Sequence, residues 1–146
     1  MEYPPLKVLY AIAGDEKAGL MLVFGKKSAK RVALCCAGFP DDHSIFVPFA
    51  SRLAEENDTL VGIICIPGYD DRPERPWTEH NKDGYSFDEM VSSFRDAAMK
   101  LLAETSEQNP TFTGIFHDWG VFPGLIFTNI AVEMEQHYAP DNLVIS

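Results

Sequence analysis

Positive charge is scarce in this chain: 12 Lys and Arg stand against 22 Asp and Glu, a formal net charge of −10 at pH 7. Phosphate-bearing partners are held through clustered Lys and Arg, so nucleic acid and anionic membrane surfaces are disfavoured as partners. The one basic cluster, Lys26, Lys27, Lys30 and Arg31, reads as a solvated turn between strands. Long apolar runs are lacking too. None approaches the ~20 residues of a membrane span, and Met1-Glu2-Tyr3-Pro4-Pro5 has neither the positive region nor the apolar stretch of a secretion leader. A soluble, cytoplasmic protein is expected. Cysteine is limited to Cys35, Cys36 and Cys65, an odd number without metal-site spacing, and each lies in a run that reads as a buried strand. They are expected to be small apolar fillers in a reducing compartment. No internal repeat, low-complexity tract or linker is visible. With 46% hydrophobic residues, 146 residues suffice for one core, hence a single domain over residues 1–146.

What is present alternates between strand and helix patterns, as in an open, mostly parallel sheet covered on both faces. Leu6 to Ile12 and Leu20 to Phe24 predict an opening hairpin, and Val32 to Ala37 a buried third strand. Ile45, Phe46, Phe49, Ala50, Leu53 and Ala54 recur at helical spacing. Leu60 to Ile66 is apolar almost throughout, as a central parallel strand should be. From Pro67 to Tyr85 prolines and charges predict a long surface loop. Ser86 with Glu89 three residues on makes a capping box, opening a helix whose stripe runs from Met90 and Val91 to Leu101 and Leu102. A strand from Phe112 to Phe116, a helix from about Pro123 to His137 and a last strand near Leu143 to Ile145 complete the pattern.

The chemistry concentrates at His117-Asp118-Trp119-Gly120, between the Phe112 to Phe116 strand and the next helix. A small-x-nucleophile-x-small turn of this kind lifts one side chain above the sheet toward a helix amino end, where unpaired N–H groups favour negative charge. The plainer reading is that Asp118 only caps a helix, for which Asp is a common choice. Upstream, the strand ending at Ala37 runs into Gly38-Phe39-Pro40-Asp41-Asp42, and the strand ending at Ile66 into Pro67-Gly68-Tyr69. These three segments, in this order and spacing, resemble the oxyanion loop, the nucleophile elbow and an intervening loop of the α/β-hydrolase superfamily. Within it the match is to the branch with an aspartate nucleophile, the epoxide hydrolases and, more distantly, the haloalkane dehalogenases.

The resemblance implies roles residue by residue. Asp118 would attack a carbon of a small apolar epoxide to form an ester. The backbone N–H groups of Phe39 and Trp119 would form the oxyanion hole when that ester is hydrolysed, and the Trp119 indole would line the substrate pocket. Gly38 would let the loop approach closely. No cofactor or metal is implied. Two positions depart from the family's pattern: Ala37 stands where His is usual, and Phe116 where a smaller residue is usual, so Phe116 is expected to crowd the turn, with either the elbow distorted or its neighbours adapted. The water-activating histidine and its carboxylate should follow the nucleophile. After Asp118 the only histidine is His137, with Glu133, Glu135 and Asp141 as carboxylates. A continuous helix would place His137 about 28 Å away, at ~1.5 Å per residue. His117 is expected to support the turn. His43, with Asp41 and Asp42, is expected to cap the following helix rather than bind metal.

The chain thus resembles the amino-terminal half of an epoxide hydrolase, an incomplete α/β-hydrolase domain lacking the cap domain and the carboxy-terminal strands. It would be a truncated chain, a partial product or a degenerate relative, inactive as it stands. A haloalkane dehalogenase fragment is disfavoured, because those enzymes commonly hold the halide with an Asn where Phe39 stands. The remaining alternative is a non-catalytic pseudoenzyme or interaction half-fold, self-associating through an exposed sheet edge.

Overall fold

The computed structural model describes residues 7–13, 16–38, 41–67 and 85–146, with side chains from residue 20 onward. Strands β1 (Lys7–Ala13), β2 (Glu16–Phe24), β3 (Arg31–Cys36), β4 (Thr59–Ile64), β5 (Thr111–Phe116) and β6 (Asn142–Ile145) form one sheet in the order β1-β2-β4-β3-β5-β6. The β1–β2 and β2–β4 pairs are antiparallel; β3–β4, β3–β5 and β5–β6 are parallel. The expected mostly parallel sheet is present, with β3 at its centre. The loop expected between Pro67 and Tyr85 falls almost wholly outside the described residues.

Alternation along the strands divides the core in two. Val32, Leu34 and Cys36 of β3 join Leu60 and Ile64 of β4 under helices α2 (Phe87–Glu104) and α3 (Val121–Glu133). Ala33 and Cys35 join Val61, Ile63 and Ile115 under helix α1 (Val47–Glu56). Cys35 and Cys36 therefore face opposite layers, both fully buried and unpaired, and Cys65 is buried just beyond β4. Of the basic cluster, Lys26, Lys27 and Lys30 lie in the β2–β3 turn and Arg31 opens β3; Lys26 pairs with Asp58 at 3.4 Å and Lys27 approaches Glu104 at 4.0 Å, both ammonium groups largely solvated.

Helix α2 opens on the expected capping box: Glu89 N–H donates to Ser86 Oγ at 3.2 Å, and Ser86 N–H to Glu89 Oε2 at 2.7 Å. Helix α3 stops four residues short of His137. Glu135 adopts a left-handed φ of 51°, Gln136 N–H reaches back to the Ala131 carbonyl and Glu135 N–H to that of Val132, the bonding of a Schellman end. Glycine usually takes that position, so Glu135 gives no warning of it in the sequence.

Of the two outcomes expected at Phe116, a distorted elbow or adapted neighbours, the second is observed. Its ring is fully buried, and two glycines make the space: a β-carbon on Gly124 would lie 2.3 Å from the ring, and one on Gly114 would lie 2.7 Å from it. The bulky residue is accommodated beneath the turn, edge-on to Phe94 at 5.5 Å. Gly124→Val is expected to cost ~1–3 kcal/mol through overpacking, and Phe116→Leu in the same chain to restore part of it. Denaturant unfolding of the two single variants and the double variant reads this coupling, and strictly additive losses would refute the account.

Candidate functional site

Three parallel strands, β3, β5 and β6, end side by side, with Cys36, Phe116 and Ile145 in register. Beyond them β5 leaves through His117, in extended conformation, and enters Asp118 at φ 53°, the left-handed region. Asp tolerates that region better than most residues, yet a non-glycine residue is held there only by its surroundings. Three backbone bonds supply the restraint. His117 N–H donates to the Cys36 carbonyl at 3.1 Å, Asp118 N–H to the Ser146 carbonyl at 2.9 Å, and Gly120 N–H to the His117 carbonyl at 3.0 Å. A 3-10 turn over Asp118–Gly120 then leads straight into α3. The Asp118 side chain is exposed, and among the described residues its carboxylate accepts no hydrogen bond. The capping alternative therefore has no bond to rest on.

The upstream loop meets this turn at Gly38. A β-carbon there would lie 2.5 Å from Asp118 Oδ2, 2.6 Å from Asp118 Cβ and 2.6 Å from Trp119 N, so only glycine allows the approach. Gly120 is the counterpart on the other side, its missing β-carbon 3.1 Å from the Cys36 and Ala37 carbonyls. Gly38, Asp118 and Trp119 are thus brought together. Phe39 lies outside the described residues. Trp119 is 53% exposed and stacks at a tilt against Phe122, ring centroids 5.3 Å apart, leaving an open aromatic surface beside the carboxylate.

His117 supports the turn as its position suggests. Its Nδ1 lies 3.3 Å from Ser146 Oγ, and its ring stands edge-on to Phe46, which leads into α1. His43 does not cap a helix. Buried to 5% exposure, it hydrogen-bonds the Leu20 carbonyl through Nε2 and the Cys65 thiol through Nδ1. A carbonyl only accepts, so Nε2 carries the proton and Nδ1 accepts from the thiol. The cap belongs to Asp42, whose Oδ1 accepts Ser44 N–H at 2.8 Å at the start of a 3-10 turn. Hydrogen bonds from Ser44 hold the Asp42 carboxyl below its ordinary range. Among the described residues no three metal-ligating side chains converge. Burial pushes the Cys35 and Cys36 thiols well above their ordinary pKa, which removes them as nucleophiles.

His137 is held at the opposite end of β5. With Thr111, Glu107 and Asp141 it lines an open cavity of about 670 Å³ where that strand begins, whereas Asp118 follows the strand's last residue. It does not join the carboxylate. Sequence reasoning missed Ser146, whose carbonyl and hydroxyl both serve the turn, and the Gly114–Gly124 pair, whose signal was its placement around a bulky Phe116.

No family model matches the sequence, and no curated protein does. Solved structures do match. An epoxide hydrolase from Vigna radiata aligns with a TM-score of 0.68 at 15% identity, over 95% of this chain and 38% of its own. A probable hydrolytic enzyme from Pseudomonas aeruginosa aligns at 0.67 and 15% identity, over 99% and 42%. A mutant of an epoxide hydrolase from Bacillus megaterium aligns at 0.64 and 18% identity, over 95% and 41%. The chain thus spans about 40% of the length of these proteins. Among the described residues no helix is long and apolar enough to cross a membrane. The strand order, the parallel β5-α3-β6 crossover and these alignments together give the chain a partial α/β-hydrolase fold.

Proposed function

We propose that this chain carries the nucleophile half of an epoxide-hydrolase-like site, with Asp118 as the attacking group. The observation that carries the reading is the left-handed Asp118 backbone, which projects an exposed carboxylate from the end of a central strand at the amino end of α3. Its support is the contact of Gly38 with Asp118 and Trp119 N, the arrangement that an oxyanion loop and elbow require. The likeness in fold to epoxide hydrolases points the same way. One carboxylate oxygen attacks a ring carbon of an epoxide, the ring carbon–oxygen bond breaks, and the released oxygen takes a proton from water. The product is a hydroxyalkyl ester on Asp118. The exposed Trp119 and Phe122 rings favour an apolar, aromatic substituent on the epoxide.

Hydrolysis of that ester needs a base. Among the described residues, His43 is buried with both ring nitrogens engaged, His117 is turned to Ser146, and His137 is at the other end of β5. His80 lies outside the described residues; on the three described histidines the expectation is the first half-reaction without ester hydrolysis. Incubation with a reactive aryl epoxide, followed by intact and peptide mass spectrometry, should find one adduct per chain, on Asp118, without accumulating diol. Asp118→Asn should abolish it. Multiple-turnover diol formation would show that the chain does supply a base, and adducts confined to cysteines would remove the role given to Asp118.

Gly38→Ala tests the loop separately. The added methyl group displaces the carboxylate or the loop, and a misplacement of this size is expected to slow adduct formation about 10- to 100-fold. Labelling at the unaltered rate in a folded variant would show that the Gly38 contact does not position Asp118.

A further inference from the structure

Past Leu22 the β2–β4 ladder is continued by a side chain. The antiparallel register that pairs Leu22 with Ile63, Val23 with Gly62 and Phe24 with Val61 sets Leu20 level with Cys65. The imidazole of His43 links those two residues: Nε2–H donates to the Leu20 carbonyl, and Nδ1 accepts from the Cys65 thiol at 3.3 Å. Both side chains are buried, His43 to 5% exposure and Cys65 to 1%. A polar atom at that depth is costly to leave unmet, so the two bonds together fix the place and the tilt of the ring. The link joins β2, the segment after β3 and the end of β4, on the side of the sheet away from β6.

From His43 the constraint runs to the elbow in both directions along the chain. Five residues earlier, Gly38 lies against Asp118 and Trp119 N, too close for a β-carbon. Three residues later, Phe46 donates its N–H to the His43 carbonyl at 3.1 Å and sets its ring edge-on to His117, centroids 6.4 Å apart. The segment leaving β3 thus touches the elbow twice, and His43 ties it to the sheet between those contacts.

We infer that His43 is a positioning residue: held by Leu20 and Cys65, it sets how closely this segment lies to the elbow and so keeps Gly38 against Asp118 and Trp119 N. Satisfying the buried Leu20 carbonyl needs one donor only. The second bond, to Cys65, fixes ring orientation and refers the segment to two strands instead of one. A rate effect follows only if Asp118 is the attacking group as proposed above, whereas the geometry can be read without any reaction.

His43→Phe keeps an aromatic ring and loses both bonds; Cys65→Ala removes the thiol arm alone, and Cys65→Ser restores a donor to Nδ1. In folded His43→Phe and Cys65→Ala the amide resonances of Gly38 and Trp119 and the ring resonances of His117 should move. Asp118 adduct formation with the aryl epoxide should slow as well, about tenfold in His43→Phe, as expected of a misplaced loop. Cys65→Ser should return both readings toward the parent chain. Leu101→Ala, which destabilises the core on the opposite face of the sheet, should leave both unchanged. If His43→Phe does not fold, the two Cys65 variants carry the test. Unmoved Gly38, Trp119 and His117 resonances in the folded variants overturn the inference, as does an equal slowing in Leu101→Ala. A parent chain that forms no Asp118 adduct removes the chemistry proposed for Asp118, and the resonance positions then decide the role of His43.

Discussion

The left-handed backbone of Asp118 is the constraint around which this structure is organised. Such a conformation has no intrinsic support in an L-residue, and it persists only where neighbours over-determine it. The neighbours come from three strands that must end at one level: β3 supplies the Cys36 carbonyl, β5 the turn itself and, beyond β6, Ser146 supplies another carbonyl. Sheet register is thereby converted into site geometry. A slip of one residue between β5 and β6 would move the Ser146 acceptor by a residue's rise and turn its side chain to the other face. The same convergence explains why glycine is required at Gly38, where a β-carbon would clash with the turn, and why the fit at Gly120 on its other side is tight.

Much of this could be read from the amino-acid sequence, for identifiable reasons. The capping box at Ser86 and Glu89 is a local signal with its own hydrogen bonds, and it appears as expected. The apolar runs of β3 and β4 announce central parallel strands because burial on both faces leaves no room for alternation. The sharp turn between β5 and α3 was legible because its residues are contiguous. What escaped was non-local or depended on side-chain volume. Phe116 is a misfit only when Gly114 and Gly124 are left out, and the end of α3 rests on Glu135 taking a glycine's conformation. The cap expected of Asp41, Asp42 and His43 falls to Asp42 alone, whereas the partners of His43, Leu20 and Cys65, lie 23 and 22 residues away.

The ends of the sheet are chemically unlike. At the carboxy-terminal end of the parallel strands a carboxylate, an open aromatic pair and a glycine-lined approach converge; at the other end His137 and Asp141 border a broad polar cavity beside a strand start. Open α/β sheets place their ligands at the carboxyl ends of strands, where loops can meet and helix amino ends face the ligand. Cys35 and Cys36 serve as small fillers between strand and helix layers, their thiols held protonated by burial.

The bond from Asp118 N–H to the Ser146 carbonyl joins residues separated by an entire helix and strand. Chains emerge from the ribosome at roughly 5–20 residues per second, so the acceptor follows the donor by ~1–6 s. During that interval α3 can form while the turn before it lacks its third restraint, leaving Asp118 free to relax toward an ordinary right-handed start of the helix. The left-handed geometry at Asp118 is therefore completed only once Ser146 has followed, as a product of strand addition and not of local folding.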